Sequence, residues 1–185
     1  MEQATAPNLF VAWRDIVSMD PTVVPGNERE NDMKQARPNE VEAFREKIAS
    51  ALPQTGATDI RVDDDGDFVF RHGDLHLLVV LDERDPGYLR VVLPRFAEAD
   101  TPERHALLLA ACAETCGIVK LAKLFFIGRD LCSTVEAYVP RAESIDSPFL
   151  ERLVTSTIAA AAYVLRGAQF GDLAAPASMT QPMVH

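Results

Sequence analysis

The side chains in this sequence that could bind a metal or move a proton fall into small groups. The densest is Asp63-Asp64-Asp65-Gly66-Asp67. Asp63, Asp65 and Asp67 alternate, so their carboxylates could converge on a calcium ion. A calcium loop of the EF-hand kind also needs glycine at its sixth position and an acid at its twelfth. Counted from Asp63, the sixth residue is Phe68, and Phe68-Val69-Phe70 reads as strand. The cluster is therefore expected to be a solvated hairpin turn around an Asp-Gly step.

Cys112 and Cys116 are four residues apart and share a face if the segment is helical. Cys132 falls in the next hairpin. A zinc site wants four ligands, usually in pairs two residues apart, and only His105 lies near in sequence. Buried structural thiols are the expectation. A reactive Cys112 or Cys116 is the enzymatic alternative. His72 and His76 flank Asp74, a pairing that could support acid–base chemistry. No nucleophile or oxyanion pattern accompanies it, and His72, His76, His105 and His185 lack metal-ligand spacing. They read as surface histidines. No catalytic residue, metal or cofactor is expected.

The elements that would position these groups follow from periodicity. Asn39 is a candidate N-cap, with Val41, Phe44, Ile48 and Leu52 as one apolar stripe and Pro53 as the stop. Short strands follow at 60–62, 68–71, 75–81 and 88–93, the last closed by Pro94. Thr101 and Pro102 open a helix that ends at Cys116-Gly117. It is apolar on more than one face, so it is either sandwiched or meets a partner. Segments 119–127 and 131–139 form a hairpin around Gly128-Arg129-Asp130. Ser147 then caps a last helix with the stripe Leu150, Val154, Ile158, Ala161, Leu165, ended by Gly167. The expected fold class is α+β, an antiparallel sheet with helices in the order α-β-β-β-β-α-β-β-α.

Length and composition bound the rest. A chain of 185 residues suits one domain with spare segments. Residues 1–37 carry Pro7, Pro21, Pro25 and Gly26 and read as a flexible arm, in which Phe10, Val11, Trp13, Ile16 and Val17 could form one amphipathic turn. Residues 38–167 form the domain, and 168–185 a loose tail. With 18 basic against 28 acidic residues the net charge is −10, which disfavours phosphate backbones and anionic membranes. No apolar run reaches the roughly 18 residues that a spanning helix needs. The start lacks a basic segment followed by an apolar core, so it does not read as a secretory signal. An odd count of 3 cysteines points to a reducing, cytoplasmic setting.

The element order over about residues 39–167, the turn in VDDDGDFVF before a second apolar strand, and the amphipathic final helix together carry a family resemblance. The chain resembles the fold shared by CesT-type type III secretion chaperones and YbjN-like domains. The resemblance implies a non-enzymatic binding module, dimeric in the secretion chaperones, that holds an unfolded client segment on apolar patches.

The residues suggest where such a patch would lie. In 75–81 both alternating sets are apolar: Leu75, Leu77, Val79, Leu81 on one face, Leu78 and Val80 on the other. One face must cover the helices, and the other is too apolar for bare solvent. It is either an interface or covered by the arm or tail. The expected function is shielding of a client's apolar segment on this second face and beside the 101–116 helix, with Leu78, Val80, Tyr88 and Val92 as partner-binding residues. Truncating Leu78 and Val80 is expected to weaken binding with the fold intact. The expected partners are a client protein or peptide and a second copy as a homodimer, with no nucleic acid and no membrane. The alternative is a small-molecule-binding or sensory domain that uses the sheet as a pocket wall.

Overall fold

A computed structural model describes residues 38–171 of the chain. The expected arm at 1–37 lies outside the described residues, and so does the part of the expected 168–185 tail beyond Gly171. The first helix, α1 (Pro38–Ala51), begins one residue before the expected cap and passes into a 3-10 turn at Leu52–Thr55. Six strands follow in the expected order: β1 (Thr58–Val62), β2 (Phe68–His72), β3 (Leu75–Leu81) and β4 (Tyr88–Glu98) before helix α2 (Pro102–Ile118), then β5 (Ala122–Ile127) and β6 (Asp130–Tyr138). The last helix is α3 (Ser147–Gly171). The chain is an α+β fold with one antiparallel sheet, ordered β1-β2-β3-β4-β6-β5.

Turn chemistry sets the register. The β2–β3 and β5–β6 hairpins both turn on two residues, Gly73-Asp74 and Gly128-Arg129, between His72↔Leu75 and Ile127↔Asp130. Gly73 and Gly128 have φ of +60° and +61°, and a first central glycine in that region is the pattern of a type II′ turn. A side chain at either position would force the strand pair to a different turn.

That register sends alternate residues to opposite faces. The first face carries Phe68, Phe70, Leu77, Val79, Leu81, Leu89, Val91, Leu93 and Val135, and packs with Val41, Phe44, Ile48 of α1 and Leu150, Val154, Ala161 of α3. A second core joins Leu108, Ala111 and Cys112 of α2 to Leu131 of β6 and Val164, Ala168 of α3. Helix α3 therefore spans both cores, which explains its length and its alanines. Gly167 does not end it. A Cβ there would meet the Ala111 Cβ at 3.2 Å, so the glycine marks where α2 crosses α3 closely. The cap of α3 is Asp146 rather than Ser147: its carboxylate accepts from the Phe149 N–H at 2.8 Å. Thr101 caps α2 as its sequence position suggests, accepting from the Arg104 N–H at 3.1 Å.

Candidate functional site

Strand β4 does not stop at Pro94. It runs on to Glu98 through an irregularity that the sequence reading missed. On its β6 side the register goes from Leu93↔Ser133 to Ala97↔Leu131, so four steps on β4 match two on β6. On its β3 side pairing ends at Leu78↔Val92. The chemistry of the segment explains both. Pro94 has no N–H to donate to a ladder. Arg95 then takes φ of +52°, a left-handed conformation uncommon for a residue with a side chain. The result is a bulge that swings β4 away from the start of β3. Arg95 is tied down by its Nε, 2.9 Å from an Asp130 carboxylate oxygen.

The divergence opens a cleft of about 370 Å³ between the bulge, the start of β3 and the flank of α3. Its walls are apolar: Leu75, Leu93, Phe96, Ile158 and Leu165, with Ala162 small enough to leave room. Asp74, His76 and Arg95 stand at the rim. The volume is at the lower end of the ~300–1,000 Å³ range of ligand sites. It fits one large apolar side chain or a small apolar molecule, and its rim offers charges of both signs to whatever flanks that group. A signal was present in the sequence: Phe96-Ala97 continues the strand's apolar character past Pro94.

A second groove, of about 540 Å³, lies between α1 and the β1–β2 turn and is lined by Glu42, Glu46, Asp64 and Glu83 around Arg45. Arg45 pairs with Glu83 at 2.8 Å. The acidic turn beside it is occupied by its own backbone. Asp63 accepts from the N–H groups of Asp65 at 3.1 Å and Asp67 at 2.9 Å. Asp67 is buried and accepts from the Leu81 N–H at 3.3 Å, tying the turn to the end of β3. The expected solvated turn is thus partly an internal brace. No group of three or more His, Cys, Asp or Glu placed to hold a metal ion occurs among the described residues.

The other sequence candidates do not converge. Cys112 is buried on the inner side of α2, Cys132 is buried on the second sheet face, and Cys116 is exposed. Burial pushes the Cys112 thiol up to about 11, with neighbouring Cys116 adding to it. Burial also raises Cys132, against a lowering hydrogen bond from the Arg95 backbone. Both shifts favour the protonated thiol over the thiolate at neutral pH. His72 and His76 fall on opposite sheet faces, because they are four apart across a two-residue turn. Asp74 between them lies 3.6 Å from Arg71 instead. His105 packs at a tilt against Phe126 of β5, with ring centroids 4.5 Å apart and planes 55° from parallel. His185 lies outside the described residues.

Leu78, Val80 and Val92 do share the second face, as the alternation requires, and Leu78 stands opposite Val92. They are 5, 2 and 1% exposed, so they present no free surface in this chain. The expectation that truncating Leu78 and Val80 would spare the fold is corrected accordingly, since buried leucine truncation costs about 2–5 kcal/mol. Tyr88, the fourth expected contact, is half-buried at the edge of that face. Its hydroxyl is held by Glu136, and the Arg90 guanidinium carbon lies 5.8 Å from its ring centroid. Burial and then the Glu136 carboxylate push the Tyr88 phenol up to about 12, against a smaller opposing effect of Arg90. Burial alone would raise Glu136, but hydrogen bonds from Lys123 and Tyr88 and the charges of Lys123 and Arg90 outweigh it and hold the carboxyl below its ordinary value.

No protein-family model and no curated protein matches the chain. No described helix is long and apolar enough to cross a membrane.

Proposed function

We propose that this chain is a non-enzymatic protein- or peptide-binding module, chaperone-like in the manner of the CesT and YbjN-like domains it resembles, that shields an apolar segment of a client protein. The observation that carries this reading is the apolar cleft opened by the Pro94-Arg95 bulge. Backbone strain of this kind is maintained only where surrounding structure enforces it, and it clusters at binding sites. A client's extended segment would place one large apolar side chain against Phe96, Ile158 and Leu165. The net charge of −10 favours clients with basic flanks and keeps the complex dispersed. The partners of this reading are the client in the cleft and, as a homodimer, a second copy of the chain. The setting is cytoplasmic, in keeping with 3 cysteines and free thiols.

The alternative is a small-molecule or sensory domain using the same cleft, favoured by the cleft's modest volume. One experiment separates the two. Native mass spectrometry is run on the full chain, purified gently from its host, beside Ala162→Phe, which fills the cleft from α3. A polypeptide at fixed stoichiometry on the wild type and absent from the variant supports the client reading. A small ligand lost in the same way supports the alternative. Bound species that survive the filled cleft overturn both.

A further inference from the structure

The apolar cleft follows α3 towards its C-terminal end. Ile158, Ala162 and Leu165 are half-buried at spacings of four and three, so they form one open stripe along the helix. Phe96, also half-buried, lines the same cleft. The next position of the stripe, Gln169, is polar and exposed, so the apolar path stops before the helix does. Residues 172–185, DLAAPASMTQPMVH, follow Gly171 in the sequence. They hold one acidic residue, Asp172, and no lysine or arginine, against four large apolar side chains: Leu173, Met179, Met183 and Val184. A segment suited to water carries more charge and less apolar area.

Reach decides which of these residues can return to the cleft. Ala162 lies ~14 Å back along the helix axis from Gly171, at ~1.5 Å per residue. Pro176 suits the second position of a β-turn that reverses the chain over 175–178. An extended chain then gains ~3.3 Å per residue, so Met179 stops ~3 Å past the turn and Met183 arrives ~16 Å past it, level with Ala162. Pro182 fixes an extended φ just before Met183, whose unbranched side chain fills irregular space. We infer that residues 179–185 fold back antiparallel to α3 and seat Met183 in the cleft, against Phe96, Ile158 and Leu165, where it holds the place of a client side chain. The regulatory part of this inference rests on the proposed client reading; the docking itself does not. A client must displace the segment, and a cleft open about a tenth of the time binds about tenfold more weakly than one always open.

The test is NMR of the full chain with methionine, isoleucine and leucine methyls isotope-labelled, the Met183 signal being assigned from its loss in Met183→Leu. The wild-type Met183 methyl is expected upfield of the Met179 methyl, shifted by the Phe96 ring, with cross-relaxation to the Ile158 and Leu165 methyls. Ala162→Phe fills the cleft and is expected to return the Met183 signal to the Met179 position. Met183→Asp, outside the described residues, is expected to shift the Ile158 methyl with melting unchanged, and serves where Ala162→Phe fails to fold. A fluorescent synthetic peptide of residues 178–185 is then titrated against the full-length wild type and Met183→Asp, with about tenfold tighter binding expected for the variant. A wild-type Met183 methyl without the shift and the cross-relaxation overturns the docking. A docked Met183 with equal peptide binding to both chains overturns the gating of the cleft alone. If Met183 is docked and native mass spectra show no client polypeptide, the client reading fails and the docking stands.

Discussion

Helices α1 and α2 lie over the same side of one sheet and make opposite use of their outer faces. Both bury a single stripe: Val41, Phe44 and Ile48 for α1, Leu108, Ala111 and Cys112 for α2. Outside, α1 shows Glu42, Glu46, Lys47 and Ser50 to water. Helix α2 shows Ala106, Leu109, Ala110, Ala113 and Cys116. The inner stripe alone satisfies the core, so the fold makes no demand on the outer one. A charged outer stripe needs no further account. An apolar one does, because it forfeits solvation with no return in packing within the described domain.

The sharpest way to break this comparison is to cut each stripe. Phe44→Ala on α1 is expected to cost about 3–5 kcal/mol and Leu108→Ala on α2 about 2–5, read from chemical denaturation, since both side chains are fully or almost fully buried. Leu109→Ala is expected to change monomer stability by no more than about 0.5 kcal/mol. If Leu109→Ala costs as much as Leu108→Ala, the outer face of α2 is covered within the chain and the contrast with α1 disappears.

Thiol labelling sharpens the same contrast along one helix. Cys116 lies at the edge of the outer side and Cys112 on the inner, with the Cys112 thiol pushed up to about 11 by burial. A thiol-specific chromogenic reagent at neutral pH is expected to modify one thiol per native chain, at Cys116, and the other two only on unfolding. Rapid native labelling of Cys112 would favour the enzymatic alternative, because it requires an activated thiolate in reach of solvent.

The smallest expected effect concerns the polar end of the second sheet face. Glu136 has a lowered folded-state value, so its contribution to stability is present above the ordinary carboxylate value of about 4.3 and is lost as pH falls through the lowered one. Tyr88 is raised, so its contribution is present below the ordinary phenol value of about 10 and is lost as pH climbs through about 12. Glu136→Gln is therefore expected to flatten the acid limb of a stability-against-pH curve relative to wild type. An unchanged acid limb would show that Lys123 and Tyr88 do not hold the carboxylate in solution.

Much of the architecture was legible in the sequence because it rests on local chemistry. Gly73 and Gly128 mark tight hairpins, since their left-handed φ suits glycine whatever surrounds them. Thr101-Pro102 marks the start of α2 for an equally local reason, a side-chain oxygen over a free amide. The misreadings share a cause. Gly167 looked like a helix stop because glycine often is one, yet here its missing Cβ makes room for Ala111. Pro94 looked like a strand end because proline cannot donate to a ladder, yet β4 bends around it and rejoins β6 at Ala97. The candidate site was the least legible part: Leu75, Phe96, Ile158 and Leu165 lie up to 90 residues apart in the sequence, and no spacing rule links them.

By itself, then, the sequence determined the elements, their order and the alternation that sorts each strand into two faces, because backbone propensity, turn geometry and period are properties of neighbours in the chain. It could not decide which of two apolar faces would be buried. Leu78, Val80 and Val92, expected as partner contacts, are buried, while Leu109, Ala110 and Ala113, on a helix whose sequence fits either a sandwiched or a partner-facing position, are exposed. That choice belongs to tertiary structure, because an apolar side chain is driven out of water by area alone and carries no mark of which neighbour will cover it.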